Sequence, residues 1–357
     1  MPTRRYATGL PVWLALGTVY VVWGSTYLGI AVAIESIPPF LMLALRFTIA
    51  GTLLTGWAWL RDREAFTWPT RREIRDSAVI GALLLGIGNG FVAFGEQTVA
   101  SGIAAILVAM VPLWIAVFGW LYFRDRLPRL ATIGVVVGLI GVALLVLPTG
   151  AGANAFDALG IACLLVSPVA WAHGSLFSAH RAQLPHSGIL ASGLQMLGGA
   201  AVLAIEALLS GELGRVHPEA VSLRSIVALA YLTAIGSMVG FTAYAWLLRH
   251  APLSLVSTYA YVNPVVAVAL GAAFLAEPVS ARTLVASAVI VAAVAMIVTS
   301  RGRAMRAAPE AKAVVDDLAA AARIDGPARP VDGERPGRAG PAIAGLSSTA
   351  SRRAPSD

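Results

Sequence analysis

Long apolar runs separated by short polar segments dominate the hydrophobic pattern of this 357-residue chain. Each run is about 20 residues long, the length that an α-helix needs to cross the hydrocarbon core of a bilayer. The first run is too long for the apolar core of a secretory signal, which takes about 7 to 15 residues. The pattern predicts ten transmembrane helices, over residues 12–34, 39–60, 77–95, 99–123, 130–148, 156–179, 187–209, 225–248, 252–275 and 281–300.

The fourth and ninth predicted helices share one plan of landmark residues, which indicates an internal duplication. A shift of 152 residues superimposes Pro112 on Pro264, Gly119 on Gly271, and Asp125 on Glu277. Upstream, the same shift superimposes Gly88 on Gly240. Each repeat has five spans, an odd number, so the second repeat enters the membrane inverted relative to the first. The predicted units are a first repeat over residues 1–148, a second repeat over 149–300 and a tail over 301–357.

Arginine collects on one side of the predicted membrane. Twelve arginines lie in the loops on the N-terminal side, against three in the opposite loops. Because cytoplasmic loops carry the excess of basic residues, both termini are predicted to be cytoplasmic. The tail after Ser300 is rich in Ala, Pro, Gly and Arg, and this composition is typical of disorder.

The composition, 58% hydrophobic and 13% charged, excludes a soluble protein of this size and predicts a multi-pass protein of the cell inner membrane. Ten of the 26 basic residues follow residue 300 and most others flank apolar runs. The net charge of +7 therefore indicates contact with lipid headgroups rather than with nucleic acid. The single cysteine excludes a disulfide within the chain and a multi-cysteine metal site, and we predict no metal or cofactor.

Pro112 and Pro264 predict helix breaks at matching places in the two repeats. A proline inside a helix removes a backbone donor, and a freed carbonyl in hydrocarbon costs several kcal/mol unless protein or water satisfies it. Broken helices in both halves are typical of a transport site, so we predict a gating role. The alternative is a kink used only for packing.

Polar and aromatic side chains near these breaks are candidates for binding a solute. Tyr259 and Asn263 stand four residues apart and share one helix face just before Pro264. The alternative is that such residues only join neighbouring helices. The glycine-rich run 86–90 lies inside an apolar helix, which favours close packing or a cavity over phosphate binding. The predicted solute-binding residues are Trp23, Asn89, Tyr259, Tyr261 and Asn263.

The ionisable residues have either a coupling role or a structural one. Arg46 lies inside the second span, where a charge costs on the order of 3 kcal/mol, so it is a functional candidate unless it reaches the headgroups. His173 is a candidate proton carrier or a hydrogen-bonded core histidine. Asp125 and Glu277 follow helix C-termini, where the dipole disfavours acids, so we expect each to accept backbone donors from the next helix or to couple an ion.

Gly134 and Gly138 form a small-xxx-small pattern in the fifth span. This pattern is typical of close helix contact, either in a homodimer or within the chain.

Several motifs, in their order and spacing, resemble the EamA-type branch of the drug/metabolite transporter superfamily, particularly its YedA-like members. The motifs are WGSTY at Trp23, ALRF around Arg46, GNG at Gly88, SGIAA at Ser101 with VP at Pro112, and TYAYVNPVVAVALG at Thr258. The resemblance covers about residues 10 to 300. It implies two inverted five-helix repeats, a central cavity built from both halves, and export of small metabolites or drugs.

By this resemblance, nine residues match family motif positions: Trp23, Arg46, Asn89, Pro112, Tyr259, Tyr261, Asn263, Pro264 and Glu277. Two positions depart from the pattern, because Asp125 stands where glutamate or another residue is usual and His173 stands where an apolar residue is expected.

The pattern as a whole predicts a secondary transporter, not an enzyme, that moves a small-molecule substrate such as an amino acid or a related solute by alternating access. No GxxxxGK motif is present in the sequence, so direct ATP drive is unsupported. One alternative is a membrane sensor or interaction protein that works through its tail. The other is an intramembrane lipid-modifying enzyme, which would want the clustered acids or histidines that the spans lack.

Overall fold

The computed structural model describes residues 9–61, 66–124, 128–146, 157–251, 256, 258–297 and 299–300. The described residues form helices and connecting turns, and no strand occurs among them. The all-helical prediction is confirmed for this part of the chain. Asp125 and the predicted tail over 301–357 lie outside the described residues.

We number the apolar helices in chain order. They are α1 (Leu10–Ala33), α2 (Pro39–Arg61), α3 (Arg71–Gly95), α4 (Ser101–Phe123), α5 (Arg129–Val146), α6 (Ala158–His180), α7 (Gly188–Leu209), α8 (from Leu223 to His250), α9 (Tyr259–Phe274) and α10 (Ala281–Ile297). Two short 3₁₀ helices, Glu212–Arg215 and Pro218–Ala220, join α7 to α8.

Seven of these helices are long and apolar enough to cross a membrane, and they lie where hydropathy predicts spans. The apolar stretches of α5, α9 and α10 are shorter, 10 to 17 residues each. Two statements stay predictions: these three helices also cross the membrane, and both termini are cytoplasmic.

Helices α3 and α8 each contain an eight-residue π-helical segment, which the sequence patterns did not predict. The consecutive segments are Arg71–Gly81, Ala82–Asn89 (π) and Gly90–Gly95 in α3, and Leu223–Tyr231, Leu232–Val239 (π) and Gly240–His250 in α8. Segments bonded i→i+5 are rare and occur frequently at functional sites. Their matching positions repeat the duplication seen in the sequence.

Helix α4 is broken near Pro112, as predicted. Its two segments are Ser101–Val108 and Val111–Phe123, and Pro112 is the second residue of the latter. A proline fits the first turn of a helix because the N–H it lacks would have no partner there.

The predicted break at Pro264 is wrong, because α9 runs without interruption from Tyr259 to Phe274 and contains Pro264. The proline is the sixth residue of the helix. Its missing N–H leaves one carbonyl, that of Ala260, without a helical donor, and the helix continues past this position.

Glycines allow helices of the two repeats to approach closely. A Cβ added to Gly199 in α7 would lie 2.6 Å from Leu85 Cβ and 2.9 Å from the carbonyl oxygen of Gly81, both in α3. Gly134 and Gly138 in α5 also allow close helix contacts within the chain. A Cβ added to Gly134 would meet α10, and a Cβ added to Gly138 would meet α4. These contacts support the interpretation that the two glycines serve helix packing within the chain. A homodimer stays a prediction.

Two glutamates of the second repeat accept hydrogen bonds from helix N-termini of the first repeat. The Glu212 carboxylate accepts from the backbone N–H groups of Phe40 at 3.3 Å and Leu41 at 2.8 Å, at the start of α2. Burial raises the pKa of this carboxyl, and the two N–H groups partly oppose the rise. The start of α2 is thus held by an acid from the other half.

Glu277 does the same for α4, accepting from the N–H groups of Ser101 at 2.8 Å and Gly102 at 3.1 Å. The expectation that it would accept from the next helix is wrong. After α9 the chain turns back through Ala276, at φ 52°, and the Glu277 N–H donates to the Gly271 carbonyl. This turn directs the carboxylate towards α4 rather than α10.

Replacing Glu277 with alanine should lower the free energy of unfolding by about 1 to 3 kcal/mol, because two backbone donors lose a charged acceptor. Glu277→Gln keeps one acceptor oxygen and should lose less. The thermal midpoint of the detergent-purified protein measures both effects. Exposed Glu219 supplies the control variant Glu219→Ala, and equal midpoints for Glu277→Ala and the native protein would contradict the capping role.

Candidate functional site

A cavity lies between the two repeats and receives side chains from α1, α2, α3, α4, α6, α8 and α9. It contains about 780 Å³ of space between atoms, counted with its open mouth. Of its described lining residues, most are apolar or aromatic and one, Arg46, is charged. This composition suits a small organic solute rather than an inorganic ion alone.

The structure brings together most of the residues singled out from the sequence. Those that line the cavity are Trp23, Arg46, Asn89, Tyr259, Asn263 and Pro264. Pro112 is not among the lining residues, although its neighbour Val111 is. The side chain of Tyr261 lies outside the described part of the structure. Whether the lining residues bind a solute stays a prediction.

Two tryptophans of the cavity pack crosswise against the π segments of the opposite repeat. A Cβ added to Gly240, which directly follows the π segment of α8, would lie 2.6 Å from Trp23 Nε1. A Cβ added to Gly88, inside the π segment of α3, would lie 3.1 Å from Trp171 Cε3. Each glycine therefore leaves room for an indole ring from the other half.

Trp23 is held by other aromatic rings. Its ring centroid lies 5.2 Å from that of Tyr259 and 5.7 Å from that of Phe241, both at steep interplanar angles, and 4.9 Å from Tyr244. Edge-to-face contacts of this kind are favourable and directional. The wall of the cavity at α1, α8 and α9 is therefore a connected aromatic cluster.

Asn263 both lines the cavity and joins two helices. With its amide oriented to suit its neighbours, the side-chain nitrogen donates to the carbonyls of Tyr259 at 3.2 Å and Tyr20 at 3.3 Å. The Tyr20 hydroxyl in turn hydrogen-bonds to the Thr258 hydroxyl. These hydrogen bonds support the alternative role, in which polar residues of α9 join this helix to α1.

Arg46 is buried inside the helix bundle, with 4% of its surface exposed. Its Nε donates to the Ser237 hydroxyl in α8 at 2.8 Å, and its guanidinium carbon lies 4.8 Å from the Phe47 ring centroid. The snorkelling alternative is therefore wrong for this side chain, which lines the cavity instead.

Comparison with known proteins identifies the architecture that surrounds this cavity. Residues 10–147 and 158–299 each match the model of the EamA-like transporter family. The chain belongs to the EamA-like transporter family. The predicted resemblance and the two-repeat architecture are thereby confirmed.

Relatives of this EamA-like protein span nearly its whole membrane region. The "Uncharacterized inner membrane transporter YedA" of Escherichia coli (strain K12) is 38% identical over 294 residues, which cover 82% of this chain and 92% of YedA. An "Uncharacterized transporter" of Archaeoglobus fulgidus is 23% identical over 289 residues, 81% of this chain and 99% of the relative. A solved crystal structure shares the fold, with a TM-score of 0.56 and 22% identity over 80% of this chain and 95% of that one.

These findings make the protein a membrane transporter and favour a non-enzymatic one. The predicted location, as a multi-pass protein of the inner membrane, is confirmed by the family match, the name of YedA and the seven candidate spans.

His173 of this EamA-like transporter lies away from the cavity lining. Its Nδ1 donates to the Val169 carbonyl at 2.9 Å, and its Nε2 accepts from the Tyr122 hydroxyl at 2.9 Å. The ring also packs on Phe118, at 4.2 Å between centroids. Both ring nitrogens are therefore paired, although the ring is half-buried rather than in the core and Tyr122 is exposed. Proton carriage by His173 stays a prediction.

Sequence reasoning missed Ser167, which lines the cavity from α6 and is 1% exposed. Its hydroxyl has no hydrogen-bond partner among the described residues. Serines in membrane helices usually bond to a carbonyl of the preceding turn, so their sequence gives little signal. The adjacent Pro168, which interrupts the bonding of α6, is the one clue that the sequence offers.

Glu96, which directly follows the end of α3, is a second buried polar group. Both carboxyl oxygens are buried without a hydrogen-bond partner in the described part of the chain. Burial, and then the nearby charge of Glu277, raise the pKa of Glu96 well above its usual range. This environment therefore favours the protonated form of Glu96 more than water does.

Proposed function

We propose that this EamA-like transporter is a secondary transporter that exports small metabolites, such as amino acids or related solutes, or drugs across the inner membrane by alternating access. The observation that carries the proposal is the cavity, which both repeats line with polar and aromatic side chains. A central site between repeats is where secondary transporters place their solutes. The partners we propose are the small solute and the lipid bilayer.

The proposed topology has ten spans with both termini in the cytoplasm. It is supported by the arginine distribution, twelve against three, and by the three shorter apolar helices, since α5 lies between α4 and α6 and the pair α9 and α10 follows α8. With five spans in each repeat, the repeats are inverted. A pseudo-two-fold axis in the membrane plane can then exchange inward-open and outward-open forms.

The proposed moving parts are the break in α4 and the N-terminal end of α9. Ala109, within the break of α4, and Val111, directly after it, line the cavity. Ala260 and Pro264 line it from α9. Irregular backbone at membrane depth is tolerated where it lines a cavity. Both places can therefore change shape without exposing unpaired backbone groups to lipid.

The proposal is tested by counterflow in proteoliposomes that contain the full chain, with a radiolabelled panel of carboxylic acids, amino acids, nucleosides and sugars. We expect flux of at least one solute by the native protein and a loss of about tenfold in Asn263→Ala, which corresponds to 1.4 kcal/mol. Gln97→Ala removes an exposed amide and serves as the matched control. Absence of flux for every solute, from folded and correctly inserted protein, would contradict transport, whereas native flux in Asn263→Ala would contradict only the site.

A further inference from the structure

We infer that the cavity selects solutes with a single carboxylate on an apolar body, and that Arg46 and Ser167 bind this carboxylate. The inference rests on the proposed transport function. It narrows the class of solute from small metabolites and drugs in general to monocarboxylates, in preference to amino acids. It assigns to Arg46 a direct contact with the solute, and it gives Ser167 a role for the first time.

Arg46 brings a positive charge into the cavity without an acid to balance it. The ion pairs among the described residues are Arg75–Asp76, His217–Glu219 and Arg224–Glu35, and none of them includes Arg46. Its Nη1 is buried and has no hydrogen-bond partner in the described part of the chain. A buried charge that lacks a partner is costly, and an anion that binds beside it removes this cost.

The guanidinium of Arg46 is also fixed in place. The hydrogen bond from Nε to Ser237 and the contact with the Phe47 ring hold one edge of the group, which leaves the Nη1 side for another acceptor. A Cβ on Gly236 would lie 3.1 Å from Nη2, so this glycine leaves room for the group. A donor that is oriented before the solute arrives loses little conformational entropy on binding.

Ser167 provides an independent observation from the other repeat. Its hydroxyl is buried and unpartnered, and it lines the same cavity as Arg46. Leaving a buried donor unsatisfied costs about 1 to 3 kcal/mol. Two orphaned donors, one from each repeat, therefore line the same solute cavity.

The chemistry of these groups favours a carboxylate. A guanidinium matches the two oxygens of a planar carboxylate, and a hydroxyl can donate to one of them. One cation balances one negative charge, so a dianion such as phosphate would remain undercompensated. The aromatic side chains of the lining, such as Trp23, Trp171 and Phe241, suit an apolar body on the same solute.

The same charge balance disfavours a zwitterion. No acidic side chain is among the described lining residues, and Glu96, which lies beyond Val92 on α3, is not one of them. A zwitterion would bring no net negative charge and would leave Arg46 uncompensated. We therefore expect a carboxylic acid to bind better than the amino acid with the same side chain.

The test uses three probes of one shape on the detergent-purified full chain: hydrocinnamate, its neutral amide, and phenylalanine. Calorimetric titration should give hydrocinnamate a Kd at least about tenfold lower than those of the other two, since a hydrogen bond to a charged group contributes on the order of one tenfold step. Inorganic phosphate and sulfate form a separate arm. Equal binding of acid and amide, no binding of hydrocinnamate, or displacement of it by phosphate at equal concentration would each overturn the inference.

Variants decide whether Arg46 and Ser167 carry the selectivity. Arg46→Gln should abolish the preference for the acid over the amide, Arg46→Lys should retain part of it, and Ser167→Ala should weaken acid binding about threefold to tenfold. Arg61→Gln, the same change at the exposed end of α2, is the matched control and should leave the preference intact. An undiminished preference in Arg46→Gln with a native elution profile would overturn the assignment.

The outcomes separate this inference from the proposed function. Counterflow of neutral solutes or amino acids without any acid preference would leave transport standing and overturn the carboxylate site. Selective binding of hydrocinnamate without flux of any solute would support the carboxylate site and contradict transport.

Discussion

Replacing Gly240 with alanine should reduce solute counterflow about tenfold or more, a loss of about 1.4 kcal/mol, while the amount of folded protein in the membrane stays the same. The new Cβ would lie 2.6 Å from Trp23 Nε1, which is shorter than real contacts of this kind, and 3.0 Å from Trp23 Cδ1. The indole cannot simply yield, because Phe241, Tyr244 and Tyr259 surround it. It must move, and the wall of the cavity changes shape with it.

The same substitution elsewhere on the chain separates this effect from a general cost of alanine. Gly56→Ala in α2 has nothing within 4 Å of the new Cβ and should retain native counterflow. Gly88→Ala, the repeat counterpart of Gly240→Ala, has a milder contact of 3.1 Å with Trp171 and should have an intermediate effect. Native flux in Gly240→Ala, at equal protein content, would show that the position of Trp23 does not limit transport.

Gly199→Leu is expected to give the largest loss of stability, about 3 kcal/mol or more. Its Cβ alone would overlap Leu85 Cβ, and the Gly81 carbonyl is part of the α3 backbone, which has no rotamer to change. Helices α3 and α7 would have to separate along a contact between the two repeats. The thermal midpoint in detergent and the yield of monodisperse protein measure this loss.

Gly17→Leu is the matched control, since no atom lies within 4 Å of the Cβ that it adds in α1. This variant should match or slightly exceed the native midpoint, because leucine favours helix more than glycine does. If Gly199→Leu and Gly17→Leu had the same thermal midpoint, the close approach of α3 and α7 would not be a source of stability.

The helices were predictable because their signal is local. A run of about 20 apolar residues predicts a spanning helix wherever it occurs, and the pairs related by 152 residues revealed the duplication. The π segments gave no such signal in the sequence. A π-helix differs from an α-helix in the number of residues per turn, and a run in which every residue is apolar has the same hydropathy in both. Only the glycines at 88 and 240 marked the region, and glycine has several uses in membrane helices.

The site was predicted in part, because some of its residues also have a local signal in the sequence. Trp23, Asn89 and Asn263 stand out as unusual residues in apolar runs, and all three line the cavity. Ser167 was missed because serine is common in membrane helices and its lack of a partner depends on the fold. Pro264 misled because the effect of a proline depends on its distance from the helix start, which hydropathy does not locate.

The exchange of acids between the halves bears on the ancestry of the chain. Glu212 and Glu277 complete helix starts in the first repeat, and Asp76 of the first repeat accepts a hydrogen bond from the Gln183 N–H of the second at 2.9 Å. An ancestor with one repeat would have needed a second copy to supply such acceptors. Each half therefore depends on the other for these acceptors. A gene fragment that encoded one repeat alone would produce a protein whose backbone donors at these positions lack their partners.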